Sequence, residues 1–367
     1  MKVFVSLGER SASNYVYHIF KDFKGVEFYG ITEERLEAIG FKSVARVEDL
    51  SAVGLVEVLP KVPYAYRLLG RIEELLPQMD ALVLCDAPGF NLPLLKRAKG
   101  RVKKIIYFIS PQVWAWKEGR AKLIARLVDH LVVLLPFEVD FYKKYAREGF
   151  SVHFVGHPMV DIAKPTLREE EVRGLVGGPY MALLPGSRWS EVKRHTSYLL
   201  EVLRCLRPEL PLAIPTFQSF SPYVREKFRG FNVKVLTPKD MEKPSYNLMA
   251  YADFTLLASG TADLEASLLG APHVVFYRVS PLTYLVGRLL VKVKHVALTN
   301  LILGKEVVPE FVQKSPKELC LGVKTLLKSP GAVGKMKEEF LRLREVLGGE
   351  GVVQRLRELF LQFLHGP

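Results

Sequence analysis

The chain has 367 residues and 41.5 kDa, length for roughly two domains, and its 52 Lys and Arg against 39 Asp and Glu leave a net charge of +13. Hydrophobic residues at 49% and charged residues at 25% exclude a disordered or collagen-like chain. No run supplies the roughly 18 apolar residues of a spanning helix, and the first residues lack the apolar core of a secretory signal, so a soluble or surface-bound protein is expected. Three cysteines, Cys85, Cys205 and Cys320, are odd in number and far apart. No disulfide framework is expected from them, and a reducing compartment is. The basic balance suits nucleic acid, an anionic membrane or phosphorylated substrates, with a generic basic surface as the plainer alternative. The charge is scattered rather than gathered in one tail and no zinc-finger or RNP-type signature is present, so nucleic acid is not expected.

In chain order, the apolar runs Lys2–Ser6, Ala81–Cys85, Ile105–Phe108, Leu131–Leu134 and Val152–Val155 read as buried strands. Helical patterns lie between them, at Leu92–Lys99, Arg120–Val128 and Phe137–Arg147. A polar stretch with Pro158, Pro165 and Gly177-Gly178-Pro179 follows and is the best linker candidate. The alternation then restarts with Met181–Leu184, Leu212–Ile214, Val233–Leu236, Phe254–Leu257 and His273–Phe276, and residues 316–365 read as helical. Buried strands alternating with helices argue for βαβ units and parallel sheets. The expected fold class is α/β: two Rossmann-like doubly wound domains facing a cleft, at 1–160 and 161–345, with a helical segment 346–367 that could pack back on the first. In such sheets ligands bind beyond the carboxyl ends of the strands.

Chemistry concentrates at strand ends. Gly8-Glu9-Arg10-Ser11 is a strand-to-helix turn after the first strand. Asp86, in Cys85-Asp86-Ala87-Pro88-Gly89-Phe90-Asn91, ends a strand and suits either a general base facing the cleft or a helix N-cap. Ser110-Pro111-Gln112-Val113-Trp114-Ala115-Trp116-Lys117 sets two tryptophans after a strand, to line a sugar or acyl pocket or simply to pack. His157 stands at the linker, where a structural role is the plainer reading. Pro185-Gly186-Ser187-Arg188 offers a tight turn, free backbone N–H groups and a guanidinium to a phosphate; the same residues also suit an N-cap and a surface arginine. Ser259-Gly260-Thr261 repeats the logic directly after an apolar strand, and Glu265 lies one helical turn further on, able to accept from both ribose hydroxyls or to serve as a solvated first-turn acid. The P-loop pattern is absent, and no DxD or His/Cys cluster suggests a metal.

Taken together, these segments resemble the lipid-A-disaccharide synthases, glycosyltransferases of the two-domain GT-B fold. The match runs through Gly8-Glu9, Gly54–Leu59, Asp86–Asn91, Ser110–Trp116, Leu135–Glu138, Gly156-His157-Pro158, Leu184–Arg188, Ala258–Glu265, Pro281–Tyr284 and Asn300 with Gly304, Glu306 and Val307. Two departures stand out. Ala12 and Ser13 replace the family's Gly and Asp, and Lys305 stands where an arginine is expected, keeping charge but losing a bidentate fork.

The resemblance implies transfer of 2,3-diacylglucosamine from a UDP donor to the 6-hydroxyl of 2,3-diacylglucosamine 1-phosphate, with inversion, no covalent intermediate, no metal and no cofactor. It implies Asp86 as the base with Glu9 as competitor. UDP is expected on the second domain, its diphosphate near Ser187, Arg188, Gly260 and Thr261, its ribose on Glu265, and Asn300 and Glu306 nearby. Ser11, Trp114 and Trp116 would line the acceptor pocket. An apolar stretch over Leu55, Val56, Val58, Leu59, Val62, Tyr64, Tyr66, Leu68 and Leu69, broken by Lys61, Arg67 and Arg71, suits contact with the anionic cytoplasmic face of the inner membrane, or else a core helix. An oligomer is left open. The other readings are a different GT-B enzyme on UDP-N-acetylglucosamine, such as a lipid-carrier transferase or 2-epimerase, and a non-catalytic nucleotide- or nucleic-acid-binding protein.

Overall fold

The apolar runs of the first half pair side by side in one parallel sheet. The computed structural model describes residues 1–8, 10–50, 62–114, 118–279 and 294–366, with only the backbone of Arg10 and Ser11. The strands are β1 (Lys2–Leu7), β2 (Glu27–Thr32), β3 (Lys42–Arg46), β4 (Ala81–Cys85), β5 (Lys104–Phe108), β6 (His130–Val132) and β7 (Ser151–His153), in the order β3-β2-β1-β4-β5-β6-β7. Every residue of β4 is buried, as a central parallel strand covered on both faces requires, and this is why it reads as an unbroken apolar run.

A second parallel sheet holds β8 (Met181–Leu184), β9 (Leu212–Pro215), β10 (Val233–Leu236), β11 (Phe254–Ala258), β12 (His273–Tyr277) and β13 (Glu310–Val312), ordered β10-β9-β8-β11-β12-β13. The chain divides into unit 1, Met1–Asp161 with Leu347–Pro367, and unit 2, Ile162–Val346. The last helix, Val352–His365, belongs to unit 1: Phe360 packs on Phe20 and Phe108, and Lys104 Nζ donates to Phe363 O at 2.5 Å.

Three strands escape the sequence reading. β3 (KSVAR) and β13 lie at sheet edges, where polar residues and shortness protect the exposed ladder, so neither forms an apolar run. β2 (EFYGIT) is broken up by Glu27 and Gly30. The helical tail is three helices, Pro316–Lys328, Ala332–Val346 and Val352–His365, interrupted by the left-handed glycines Gly331, Gly348, Gly349 and Gly351.

The cysteine expectation is corrected. Cys205 and Cys320 form a disulfide across a separation of 115 residues, leaving Cys85 buried and free. Helices Trp189–Leu206 and Pro316–Lys328 pack together in unit 2 and bring the two Cα atoms to 6.1 Å, a proximity that spacing along the chain does not reveal.

Both sheets reverse their winding direction once. In unit 1 the reversal lies between β1 and β4; in unit 2 it lies between β8 and β11. At such switch points the loops beyond the strand ends diverge and open a crevice for a ligand.

Candidate functional site

Asp86 sits at the unit 1 switch point, and its backbone is under strain. Asp86 and Ala87 have φ of 44° and 43°, and Ile109 after the neighbouring β5 has 66°. Left-handed backbone costs a non-glycine residue about 1–2 kcal/mol, so it persists only where its surroundings over-determine it. Here they do. Asn91 Nδ2 donates to Cys85 O at 3.0 Å and Asp86 O at 2.9 Å, while its Oδ1 accepts from Ser6 Oγ at 2.6 Å. The fully buried Tyr107 donates its hydroxyl to Asp86 O at 2.7 Å. Asp86 N donates to Ile109 O at 3.2 Å. Gly8, after β1, lies against this turn: a Cβ there would stand 2.0 Å from Ala87 Cβ. The helix Pro88–Ala98 takes Ala87 as its N-cap, with no side-chain cap bond, so Asp86 is not its cap.

Beside this turn, after β5, Ser110 shares a 3.1 Å hydrogen bond with Tyr142, and the Trp114 indole packs edge-on against Phe137. Trp114 Nε1 donates to Glu138 Oε1 at 3.1 Å, and Leu135 N donates to Glu138 Oε2 at 3.0 Å. Burial pushes the Glu138 carboxyl up to about 8 despite those donors, so near neutral pH it is largely protonated. Burial lowers His157 to about 3; it stays neutral, accepts from Met159 N at its Nδ1, and fills the structural role. Ser13, at one family departure, is buried and donates to Glu33 Oε1 at 2.6 Å.

In unit 2 the two glycine turns follow the adjacent strands β8 and β11. Gly186 has φ +120° and packs on Glu191, a conformation and closeness that favour glycine. Helix Trp189–Leu206 takes Arg188, not Ser187, as its N-cap. The Glu191 carboxylate accepts from Ser187 N at 3.3 Å and Arg188 N at 3.4 Å and pairs with the Arg188 guanidinium. These donors therefore already hold an anionic group. The buried His195 braces the turn: its Nδ1 lies 2.7 Å from Pro185 O, while Nε2 lies 3.2 Å from Arg278 O and 3.3 Å from Arg278 N beyond β12. Burial lowers its pKa, in keeping with a neutral ring.

After β11, Gly260 caps helix Thr261–Leu268, and Gly260 and Thr261 are exposed. Glu265 is half-buried one turn on. Burial raises its carboxyl to about 7, opposed by a hydrogen bond with Tyr246. The opposite side of the helix is anchored through the fully buried Asp263, which meets His273 Nε2 at 2.9 Å and accepts from Thr299 N at 2.8 Å.

Asn300 is placed differently from its expected role. It is fully buried, its Nδ2 donating to Val308 O and Glu310 Oε1 and its Oδ1 accepting from Val307 N and Val308 N. Both donors and both lone pairs are spent inside the protein, so Asn300 shapes the loop that carries the exposed Glu306. On helix Val62–Leu75, Leu68, Leu69 and Ile72 are core, whereas Val62, Tyr66, Arg67 and Arg71 are exposed. Glu9, Val56, Val58, Leu59, Trp116 and the Ser11 side chain lie outside the described residues. The sequence reading missed Tyr107, Glu138 and His195 as supports of these turns: Tyr107 read only as part of an apolar strand, Glu138 only as part of a matching segment, and His195 lay in no segment singled out.

The family model described as lipid-A-disaccharide synthetase matches residues 3–361. A lipid-A-disaccharide synthase of Aquifex aeolicus is 46% identical over 365 residues, covering 99% of both chains, and one of Persephonella marina is 37% identical, covering 98% of both. Among solved structures, the UDP-GlcNAc 2-epimerase of Neisseria meningitidis bound to UDP-GlcNAc is similar at TM-score 0.66 and 13% identity, covering 99% of this chain and 100% of its own. Acinetobacter baumannii MurG follows at TM-score 0.57 and 12% identity, covering 98% and 99%. At such identities these structures speak for the GT-B fold alone.

Proposed function

Because this chain belongs to the lipid-A-disaccharide synthetase family and is therefore a glycosyltransferase of lipid A disaccharide synthesis, we propose that Asp86 is its general base and that the turns after β8 and β11 carry the donor's UDP. The donor is UDP-2,3-diacylglucosamine and the acceptor 2,3-diacylglucosamine 1-phosphate. The acceptor's 6-oxygen attacks the anomeric carbon as its proton passes to the Asp86 carboxylate. The bond from that carbon to the diphosphate breaks, its electron pair leaves with UDP, and the configuration inverts to a β-1,6 linkage. One displacement of this kind needs a base and no covalent enzyme intermediate.

The observation that carries the base assignment is the strained Asp86–Ala87 turn, held by Asn91 and Tyr107 at a switch point. A backbone so constrained aims one carboxylate, and positioning is worth more to catalysis than reach. On the donor side, Gly260 and Thr261 offer backbone donors to the diphosphate, Ser187 and Arg188 give theirs and a guanidinium once the diphosphate takes the place of the Glu191 carboxylate that holds them, and Glu265 accepts from the ribose. Glu306, exposed in the loop that Asn300 holds, is assigned to the donor as well. Trp114, fixed by Glu138, walls the acceptor side with Ser11 and Trp116. Val62 and Tyr66, with Arg67 and Arg71, continue the apolar stretch of Val56, Val58 and Leu59 toward the cytoplasmic face of the inner membrane, where both lipid-tailed substrates reside. Among the described residues no helix is long and apolar enough to cross a membrane.

The test is Asp86→Asn, which keeps size and removes the base. Turnover, read as UDP release with both diacyl sugars, drops at least about 10²-fold, with UDP affinity and melting temperature near those of the parent. Near-normal turnover in Asp86→Asn together with collapse in Glu9→Gln would hand the role to Glu9.

A further inference from the structure

Unit 2 carries an aromatic surface that neither the catalytic turns nor the core requires. Trp189, the residue after Arg188, is 40% exposed, and Phe217, in the loop after β9, is 46% exposed. Phe220 and Tyr223 join them: ring centroids are 5.1 Å apart for Trp189–Phe220, 4.9 Å for Trp189–Tyr223 and 5.7 Å for Phe217–Phe220. Phe220 and Tyr223 rest their inner sides on the core beneath, and the outer side of the cluster faces solvent. Two lysines cap it. Lys193 Nζ lies 5.4 Å from the Trp189 ring centroid and Lys227 Nζ 5.6 Å from that of Tyr223, and neither lysine is ion-paired to a carboxylate among the described residues.

We infer that this aromatic–lysine patch of unit 2 is a contact with an anionic lipid bilayer, separate from the stretch around Val62. The chemistry decides among occupants. Indole and phenol rings favour the boundary between acyl chains and headgroups, where one edge is apolar and the other wet. Lysines over those rings meet anionic headgroups while remaining hydrated. The apolar face of a protein partner, or an acyl chain lying alone on the patch, would strip water from both ammonium groups and return no counter-charge. The position agrees: the patch begins one residue beyond the turn proposed to hold the diphosphate. A donor bound there keeps its acyl chains in the bilayer, so unit 2 has to work at the lipid surface. To that extent the inference rests on the lipid-tailed donor of the proposed function.

The experiment is flotation of the full chain, without substrates, on vesicles of phosphatidylethanolamine and phosphatidylglycerol, against vesicles of phosphatidylcholine alone. Lys193→Gln/Lys227→Gln should weaken partitioning to the anionic vesicles about tenfold or more and flatten its salt dependence. Trp189→Ser/Phe217→Ser should lower partitioning to both vesicle types, and calorimetry with UDP reports whether that variant has kept its fold. If the lysine variant floats like the parent, or only changes at Val62 and Tyr66 reduce flotation, the inference is overturned. Normal flotation of the aromatic variant, with poor turnover on long-chain donor only, would make the patch an acyl subsite and overturn it as well. The proposed reaction fails separately, through a parent chain that releases no UDP from the two diacyl sugars while its flotation still depends on the patch.

Discussion

The role proposed for Glu265, accepting from both hydroxyls of a ribose, is best served by the ionised carboxylate, yet burial holds Glu265 at about 7. From about pH 4.5 to about 7 the folded chain keeps a proton there that the unfolded chain has lost, so this group lowers stability as pH rises through that window. In the proposed complex the ribose of UDP restores the balance by donating to the charged form. UDP affinity should therefore fall as pH drops below about 7, approaching tenfold per unit, beyond whatever titration of UDP itself adds. Glu265→Gln should be weaker at pH 8 by about 1–3 kcal/mol and should lack that extra pH step, as calorimetry at a series of pH values would read. Glu265 stands out in the sequence as a candidate because strand, glycine turn and acid lie within one short stretch. The supports do not: Asn91, Glu138 and His195 act on partners brought together only by the fold, and nothing local separates Asn300 as a loop brace from Asn300 as a ligand.

At the scale of elements, the turn after β4 depends on the turn after β1. Gly8→Ala sets a methyl 2.0 Å from Ala87 Cβ, so one of two constrained backbones has to shift. Overpacking of this kind costs about 1–3 kcal/mol, and here the displaced element carries Asp86. Turnover should fall at least tenfold, with UDP affinity unchanged because its proposed turns lie in the other sheet. Adding Ala87→Gly removes the obstructing methyl and also suits φ 43°, so the double variant should regain both melting temperature and turnover. A Gly8→Ala chain with parental kinetics would disprove the dependence. Central strands such as β4 announced themselves as apolar runs, since both of their faces are covered. The edge strands β3 and β13 could not, because the pressures on an edge favour short and polar sequences.

On the scale of the whole molecule, alternating strands and helices foretold two parallel sheets, whereas the cystine was hidden by distance along the chain. Cross-linking residues 115 positions apart removes freedom from the unfolded chain worth about 4–5 kcal/mol on the loop-closure account. Reduction, or Cys205→Ser, should lower the melting temperature of unit 2 and leave that of unit 1 in place. Scanning calorimetry with and without reductant would resolve the two transitions, and identical traces would show that the cross-link adds nothing to stability.

Unit 1 is written in two instalments, with the whole of unit 2 inserted before Leu347. Arg357 Nη2 donates to His18 O across 339 positions, and the guanidinium also reaches Ile19 O and Asp22. During synthesis, then, the sheet that bears Asp86 emerges first and waits, with Phe20 and Phe108 lacking Phe360, until the ribosome has made everything between. Unit 2, by contrast, closes with Val346. On the proposed assignment, the half that holds the donor is complete while the half carrying the base is still unfinished, so the order of maturation runs opposite to the order of translation.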